Sequence, residues 1–266
     1  MTILEEIIVH KRKELAAAIE EVTVKDLEKR IFFERTPVPL TTYLVNPEKT
    51  GIIAEFKRKS PSRGIINADA ILEEVTTGYF RSGASGLSIL TDQKFFGGCA
   101  ADLERARELN PIPILRKDFV IDEYQVIETK ALGADAILLI AAALDKRHAR
   151  ELARFAHSLG LQVLLEVHGS GELDRVNEFV DIIGVNNRDL RTFTVDTELS
   201  LQLAHEIPPG FVKISESGIT TALIIKKLKS AGYQGFLIGE NFMRSPDPVI
   251  AFSDFVKLIF PDNDQD

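Results

Sequence analysis

Residues 51–64 read GIIAEFKRKSPSRG, and the rest of the chain is organised around what they begin. Gly51, Ile52, Ile53 and Ala54 form a short apolar run of the kind that enters a buried strand. Glu55 and Lys57 follow, with Phe56 between them. Alternate side chains of a strand share a face, so Glu55 and Lys57 are expected on one side and Phe56 on the other. Residues 58–64 then form a basic loop rich in turn residues. A strand that ends in charge and opens into a cationic loop is how parallel α/β enzymes present chemistry at the carboxyl edge of a sheet. The plainer reading is a surface loop with a rim ion pair.

Outward from this stretch, short apolar runs recur at residues 86–90, 112–116, 135–140, 161–166, 180–185, 211–215 and 235–239, which with the first makes eight. Amphipathic stretches such as 68–82, 123–132, 146–159 and 220–231 lie between them, closed by small-residue turns. Eight almost wholly apolar strands alternating with helices predict a closed parallel (β/α)8 TIM barrel. The length of 266 residues suits one such domain, 1–266, since these barrels take about 250. Residues 1–30 read as helix, with Thr2 as cap and Ile3, Ile7, Ile8, Leu15 and Ile19 on one side. Residues from 1 to about 48 are expected to form an amino-terminal helical extension covering the barrel. An open doubly wound sheet would call for GxGxxG after the first strand, and none is there.

The apolar content of 45% and charged content of 27% are ordinary for a globular protein with a sizeable core. A net charge of −8 argues against a nucleic-acid binder. It leaves room for a local cationic pocket that takes a phosphorylated or carboxylated small molecule. Cys99 is the sole cysteine, which excludes an internal disulfide. The histidines, His10, His148, His157, His168 and His205, form no zinc-like pair, so no metal is expected. Neither a signal-peptide pattern nor a run of membrane-spanning length is present, and a cytoplasmic location is expected.

In a barrel of this kind the catalytic groups sit at the carboxyl ends of the strands. Those positions carry Glu55 and Lys57, Phe96, Lys117 and Phe119, Leu138, Glu166, Asn186 and Arg188, Glu216 to Gly218, and Gly239 with Glu240. Lys117 lies among Ile114, Leu115 and Phe119, so burial is expected to lower its pKa towards an acid role, unless it is a rim lysine beside Asp118. Glu166, in a half-buried pocket, is expected to have a raised pKa suited to a base, or else to cap the next helix. Phe96 and Phe119 could stack on an aromatic ligand or be ordinary core. Arg188 beside Asn186 suits a carboxylate or a sugar hydroxyl, or pairs with Asp189. Ser217, Gly218 and Gly239 occupy the two loops that often hold phosphate in barrels, where small residues let backbone N–H groups approach an anion. Glu240 is awkward there, because its carboxylate repels phosphate. Its side chain is expected to point away while its N–H binds.

The segments EFKRKSPSRG, LTDQKFFGG, ILRKDFVID, LLEVH, GVNNRDL, ISESGI and FLIGENFM, in that order, resemble the indole-3-glycerol phosphate synthase family of tryptophan biosynthesis. The resemblance runs from about Ile3 to Phe255. It implies ring closure, decarboxylation and dehydration of 1-(2-carboxyphenylamino)-1-deoxyribulose 5-phosphate. By the same resemblance Lys117 is the general acid and Glu166 the general base. Lys57, oriented by Glu55, with Asn186 and Glu216, completes the catalytic set. Phe96, Phe119 and Leu138 would sandwich the anthranilate ring, Ser60 and Arg188 would orient the carboxylate and sugar, and Leu237 is a further substrate-binding position. Ser217, Gly218, Gly239 and the backbone of Glu240 would hold the phosphate. No cofactor and no metal are implied. The expected partner is the phosphosugar alone, with neither nucleic acid nor membrane, and the chain is expected to be a monomer, association with other tryptophan-pathway enzymes being left open. Residues 58–63 are expected to move over bound substrate, with Gly64 as hinge. Two rivals are a phosphoribosylanthranilate isomerase, which would need a carboxylic acid and base pair, and a non-catalytic phosphosugar-binding barrel, which should lack Lys117 or Glu166.

Overall fold

Each predicted apolar run forms a strand of one sheet, and the sheet closes on itself. The strands are β1 (Ile52–Phe56), β2 (Gly86–Leu90), β3 (Ile114–Lys117), β4 (Ala136–Ile140), β5 (Gln162–Val167), β6 (Ile182–Asn186), β7 (Val212–Glu216) and β8 (Gly235–Ile238). Every neighbouring pair is parallel and sequential, and β8 pairs with β1 to close the barrel. The computed structural model describes residues 2–260, so Met1 and the last six residues of the predicted domain lie outside it.

The two faces of the sheet feed two cores. Ile52, Ala54, Phe56, Leu87 and Ile89 point outward and pack with the surrounding helices. Ile53, Leu115, Leu138, Leu164, Ile182, Ile214 and Leu237 point inward and fill the barrel. This double burial explains why the strands read as continuous apolar runs rather than as alternating ones. Helices Leu72–Arg81, Ala100–Leu109, Glu123–Ala131, Lys146–Ser158, Glu198–Leu203, Ala222–Ser230 and Pro248–Ile259 are among those that surround the strands. Between β5 and β6 the predicted alternation fails, and a 3-10 turn at Ser170–Arg175 replaces a helix. Gly169 and Gly171 in that segment disfavour helix.

The amino-terminal extension also departs from expectation. The single helix predicted for residues 1–30 is two, α1 (Ile3–Glu21) and α2 (Val24–Glu28). Thr2 and Glu5 form a capping box at the start of α1, as the Thr2 prediction required. Val22 is extended, and the Thr23 hydroxyl accepts from the Asp26 N–H to start α2. A threonine that satisfies a new helix start competes with continuing the old one. Ile19, predicted on the buried side, is 46% exposed.

A third helix, α3 (Leu40–Val45), completes the extension, which closes the barrel at both ends. Ile7 of α1 joins the inner core at the carboxyl-end mouth, beside Phe96 and Phe119. Leu40 and Leu44 of α3 plug the opposite end, against Gly86 at the start of β2 and Gly235 at the start of β8. A Cβ on either glycine would lie within 2.9 Å of a leucine methyl. Asp135 staples the connection between α2 and α3 to this end. It accepts hydrogen bonds from Arg35, the Val38 N–H, Arg107 and the Ile114 N–H, and is fully buried.

Candidate active site

Strand parity decides what faces the mouth. In β1 the inward positions after Ile53 are Glu55 and then Lys57, one step past the strand. In β3 the position after Leu115 is Lys117, in β5 the one after Leu164 is Glu166, and in β7 the one after Ile214 is Glu216. On these four strands the inward layer is therefore apolar until its last step and charged there. A cavity of about 350 Å³ opens above this layer, and every site residue predicted from sequence lines it.

Lys117 is the hub. Its ammonium donates to Glu166 Oε2 at 2.5 Å and to Glu216 Oε2 at 3.0 Å. Gly184 of β6 makes that convergence fit. It pairs in register with Glu166, and a Cβ there would lie 2.4 Å from Glu216 Oε1. Lys57 pairs with Glu55 at 2.6 Å, so the two predicted to share a face do touch. Gly239 leaves room for this pair, since its Cβ would meet Glu55 Oε1 at 2.6 Å.

The charge states differ from the sequence reading in an informative way. Burial alone would pull Lys117 down, but the carboxylates of Glu166, Glu216 and Glu55 outweigh it and hold the amine above the ordinary lysine range. Burial would push Glu166 up, but the charges of Lys117 and His168 hold it below the ordinary carboxylate range. The raised carboxyl is Glu216, through burial and the nearby Glu166 charge, which Lys117 only partly offsets. The expected lowered lysine and raised glutamate are thus both corrected. An ammonium facing a carboxylate favours the charged form of each, and the sequence could not show that the two faced one another.

Around this polar floor the walls divide. Phe96 and Phe119 lie with ring centroids 5.9 Å apart, tilted by 36°, and Leu138 joins them on the apolar side. Ile3, Leu4 and Ile7 of α1 extend this wall. Their place in the cavity wall is not legible in the sequence, because a helical apolar stripe does not reveal which surface it meets. On the opposite side the chain turns sharply through Ser217 and Gly218, both left-handed with φ of 66° and 75°. Successive turned backbone units of this kind aim N–H groups into one concavity that suits an anion. Gly218 is also sterically required, since a Cβ would lie 2.5 Å from a Val195 methyl. Asn186 and Arg188 enter from β6 and the loop after it.

The Glu240 side chain does not point away. Its carboxylate accepts from Arg63 Nε at 3.0 Å and Arg188 Nη2 at 3.1 Å, at the rim of the cavity. Its charge is balanced by two guanidinium groups rather than turned away from the cavity. The contact also ties the basic loop across the mouth, where Lys59–Ser60 and Gly64–Ile65 form a small antiparallel ribbon and Ser62 Oγ meets Arg188 at 3.3 Å. Among the described residues no group of three His, Cys, Asp or Glu side chains is placed to hold a metal ion.

Residues 4–255 match the family model described as indole-3-glycerol phosphate synthase. The chain belongs to the indole-3-glycerol phosphate synthase family. Its relatives in that family include the indole-3-glycerol phosphate synthase of Bacteroides thetaiotaomicron, 48% identical over 97% of this chain and 98% of the relative. That of Albidiferax ferrireducens is 42% identical over 95% of this chain and 97% of its own length. Among solved structures, a tryptophan synthase alpha-subunit from Pyrococcus furiosus superposes with a TM-score of 0.59 at 12% identity, covering 80% of this chain and 98% of that one. The 3-hexulose-6-phosphate synthase of Salmonella typhimurium does so at 0.59 and 11%, covering 79% and 98%. At such identities these structures speak for the barrel alone. Among the described residues no helix is long and apolar enough to cross a membrane.

Proposed function

We propose that this cavity converts 1-(2-carboxyphenylamino)-1-deoxyribulose 5-phosphate to indole-3-glycerol phosphate, with Lys117 as general acid and Glu166 as general base. The observation that carries the assignment is the Lys117 ammonium held between Glu166 and Glu216 beside the Phe96–Phe119 pair, in a chain of this family. The carboxyphenyl ring would lie against Phe96, Phe119 and Leu138, with the ketose carbon pressed towards the ring carbon that bears the carboxylate. Such enforced proximity supplies a large part of a ring closure.

As the ring carbon attacks the ketone, Lys117 donates a proton to the carbonyl oxygen, which becomes a hydroxyl. The attacking ring carbon is then tetrahedral, and its bond to the carboxylate breaks with release of CO2, returning the electron pair to the ring. In the final step the hydroxyl leaves as water with a second proton, for which Lys57 is positioned. Glu166 accepts the proton from the adjacent sugar-derived carbon, and the indole becomes aromatic. A charged lysine and an ionised glutamate are the states this sequence starts from, in keeping with the directions of their pKa shifts. Asn186, Glu216, Arg188 and Ser60 orient the carboxylate and sugar hydroxyls. Leu237 adds an apolar contact from β8, and the backbone at Ser217, Gly218, Gly239 and Glu240 receives the phosphate. On this reading the enzyme is a cytoplasmic monomer, since every residue assigned to the site comes from one chain.

The test is indole fluorescence on mixing the protein with the carboxyphenylamino-deoxyribulose phosphate. Wild type should give a rise in fluorescence. Lys117→Ala and Glu166→Gln should each lose about a hundredfold or more in kcat, the scale of a positioned acid or base. Phosphosugar binding without a fluorescence rise in wild type would replace this reading with that of a binding barrel.

A further inference from the structure

Behind Glu166, outside the cavity lining, lies a side chain with no assigned part. His168 sits two residues beyond Glu166 along the same strand direction, its side chain only 12% exposed. Its Nε2 faces Glu166 Oε1 at 3.3 Å, the carboxylate oxygen that Lys117 does not take. Its Nδ1 faces Glu172 Oε2 at 3.5 Å. Glu172 is itself fixed, because the same oxygen accepts the His168 backbone N–H at 2.7 Å. Both ring nitrogens are buried, yet neither makes a hydrogen bond of good geometry. Hydrogen bonds around catalytic groups are often long before substrate binds and tighten in the complex.

We infer that His168 is a positioning residue for the base: it holds Glu166 through Oε1 when substrate draws Lys117 away from Oε2. This rests on the assignment of Glu166 as the base. In this structure Glu166 has an ammonium at one oxygen and an imidazole at the other, with the Asn186 side chain also bonded to the carboxylate. Substrate entry turns the Lys117 proton towards the ketose oxygen and leaves the carboxylate one charged partner fewer. His168 then holds Oε1 as the remaining charged partner, alongside the Asn186 side chain, and Oε2 is left free, aimed at the proton it removes. Acidic oxygens at both ring nitrogens favour two N–H bonds, hence the imidazolium, since a neutral ring would set a lone pair against one carboxylate. Charges facing the ring come from Glu166 on β5, Glu172 on the following turn and Glu216 on β7, with the Lys117 ammonium of β3 beyond Glu166. Burial lowers the His168 pKa, and Glu172, Glu166 and Glu216 more than restore it, so it lies above the ordinary histidine value. The charge in turn helps keep Glu166 ionised.

Steady-state kinetics against pH for wild type, His168→Ala and His168→Gln decide the matter, together with NMR titration of the His168 ring in wild type and Glu166→Gln. The glutamine retains a donor of similar reach but does not titrate. His168→Ala should lose about tenfold or more in kcat with KM little changed, because a misaimed base costs turnover rather than binding. The acid limb of its kcat profile should move up by about one pH unit as Glu166 loses a neighbouring cation. His168→Gln should recover most of kcat while keeping the moved acid limb. The ring should titrate above a model imidazole in wild type and fall in Glu166→Gln. Wild-type kcat and an unmoved limb in both variants would overturn the inference, as would a rise in KM alone or a ring indifferent to Glu166. Absence of turnover in wild type would instead remove the assigned reaction, and the inference with it. Normal wild-type turnover with an inert His168 would remove the inference alone.

Discussion

The Lys11 ammonium of α1 stands 3.0 Å from Asp118, the residue that directly follows Lys117. It also reaches Asp92 at 3.0 Å and Glu14 at 2.7 Å, and it is 5% exposed, a rare burial for lysine. The amino-terminal helix is thereby fixed to the strand end that carries the proposed acid. The apolar wall of Ile3, Leu4 and Ile7 is held over the cavity by a charge cluster rather than by packing alone.

Replacing Lys11 by methionine should therefore do two things. Removing one partner of a buried ionic cluster leaves Asp92 without its cation and Asp118 with Arg116 alone, which costs about 3–5 kcal/mol. Loosening of α1 should also raise KM, because three of its side chains line the cavity. Urea unfolding and steady-state kinetics would measure both. A stable variant with unchanged KM would show that α1 holds its place without the cluster.

Acid should attack the same junction. Burial tends to raise the Asp118 carboxyl, but Lys11 and Arg116 together hold it down at about 2, against 3.8 when unfolded. A lowered carboxyl contributes stability that is whole above the unfolded value and is lost as pH falls through the folded one. The loss thus lies between about pH 4 and pH 2 and amounts to about 2 kcal/mol. Urea midpoints from pH 7 down to pH 3 should fall more steeply below pH 4 for wild type than for Asp118→Asn. Parallel curves would assign the acid sensitivity elsewhere.

Gly184→Ala tests the packing beneath Lys117. The added methyl would lie 2.4 Å from Glu216 Oε1 and 3.0 Å from a Leu164 methyl, both in the barrel interior. Overpacking of this order costs about 1–3 kcal/mol. The displaced Glu216 carboxylate should release Lys117 and lower kcat at least tenfold while the barrel still folds. Circular dichroism and the fluorescence assay together check this; full activity would mean the site absorbs the methyl by backbone shift.

The Arg63–Glu240 contact predicts how the loop behaves. Arg63 is 64% exposed at its side chain, so the pair adds at most about 1 kcal/mol to folding. Glu240→Ala should leave thermal unfolding nearly unchanged yet speed tryptic cleavage after Arg63, because the loop loses its tie across the mouth. Substrate should slow that cleavage in wild type. Equal cleavage rates in the two proteins would show that the ribbon of residues 59–65 holds the loop unaided.

Much of the site could be located before any coordinate was known. Glu55 and Lys57 were paired by the two-residue period of a strand, and Lys117, Glu166 and Glu216 by standing at the ends of apolar runs. The helical extension is harder to read, because Thr23 begins a new helix where the apolar pattern continues. The missing helix between β5 and β6 was signalled only by Gly169 and Gly171. His168 gave no signal at all, since a histidine after a strand reads the same whether it faces solvent or a carboxylate.

The sequence by itself determined the barrel, because eight doubly buried strands and their turns are local patterns of hydrophobicity and backbone preference. It also determined which strand ends carry charge. Tertiary structure alone decided the charge states and the closure. Protonation of Glu166 and Glu216 depends on which ammonium lies 2.5 Å or 3.0 Å away, and those groups come from strands 49 and 99 residues apart in the chain. Electrostatic energy depends on distance in space, which only the closed barrel fixes. The same holds for α1, whose buried lysine is stable because the barrel brings Asp92 and Asp118 together beneath it.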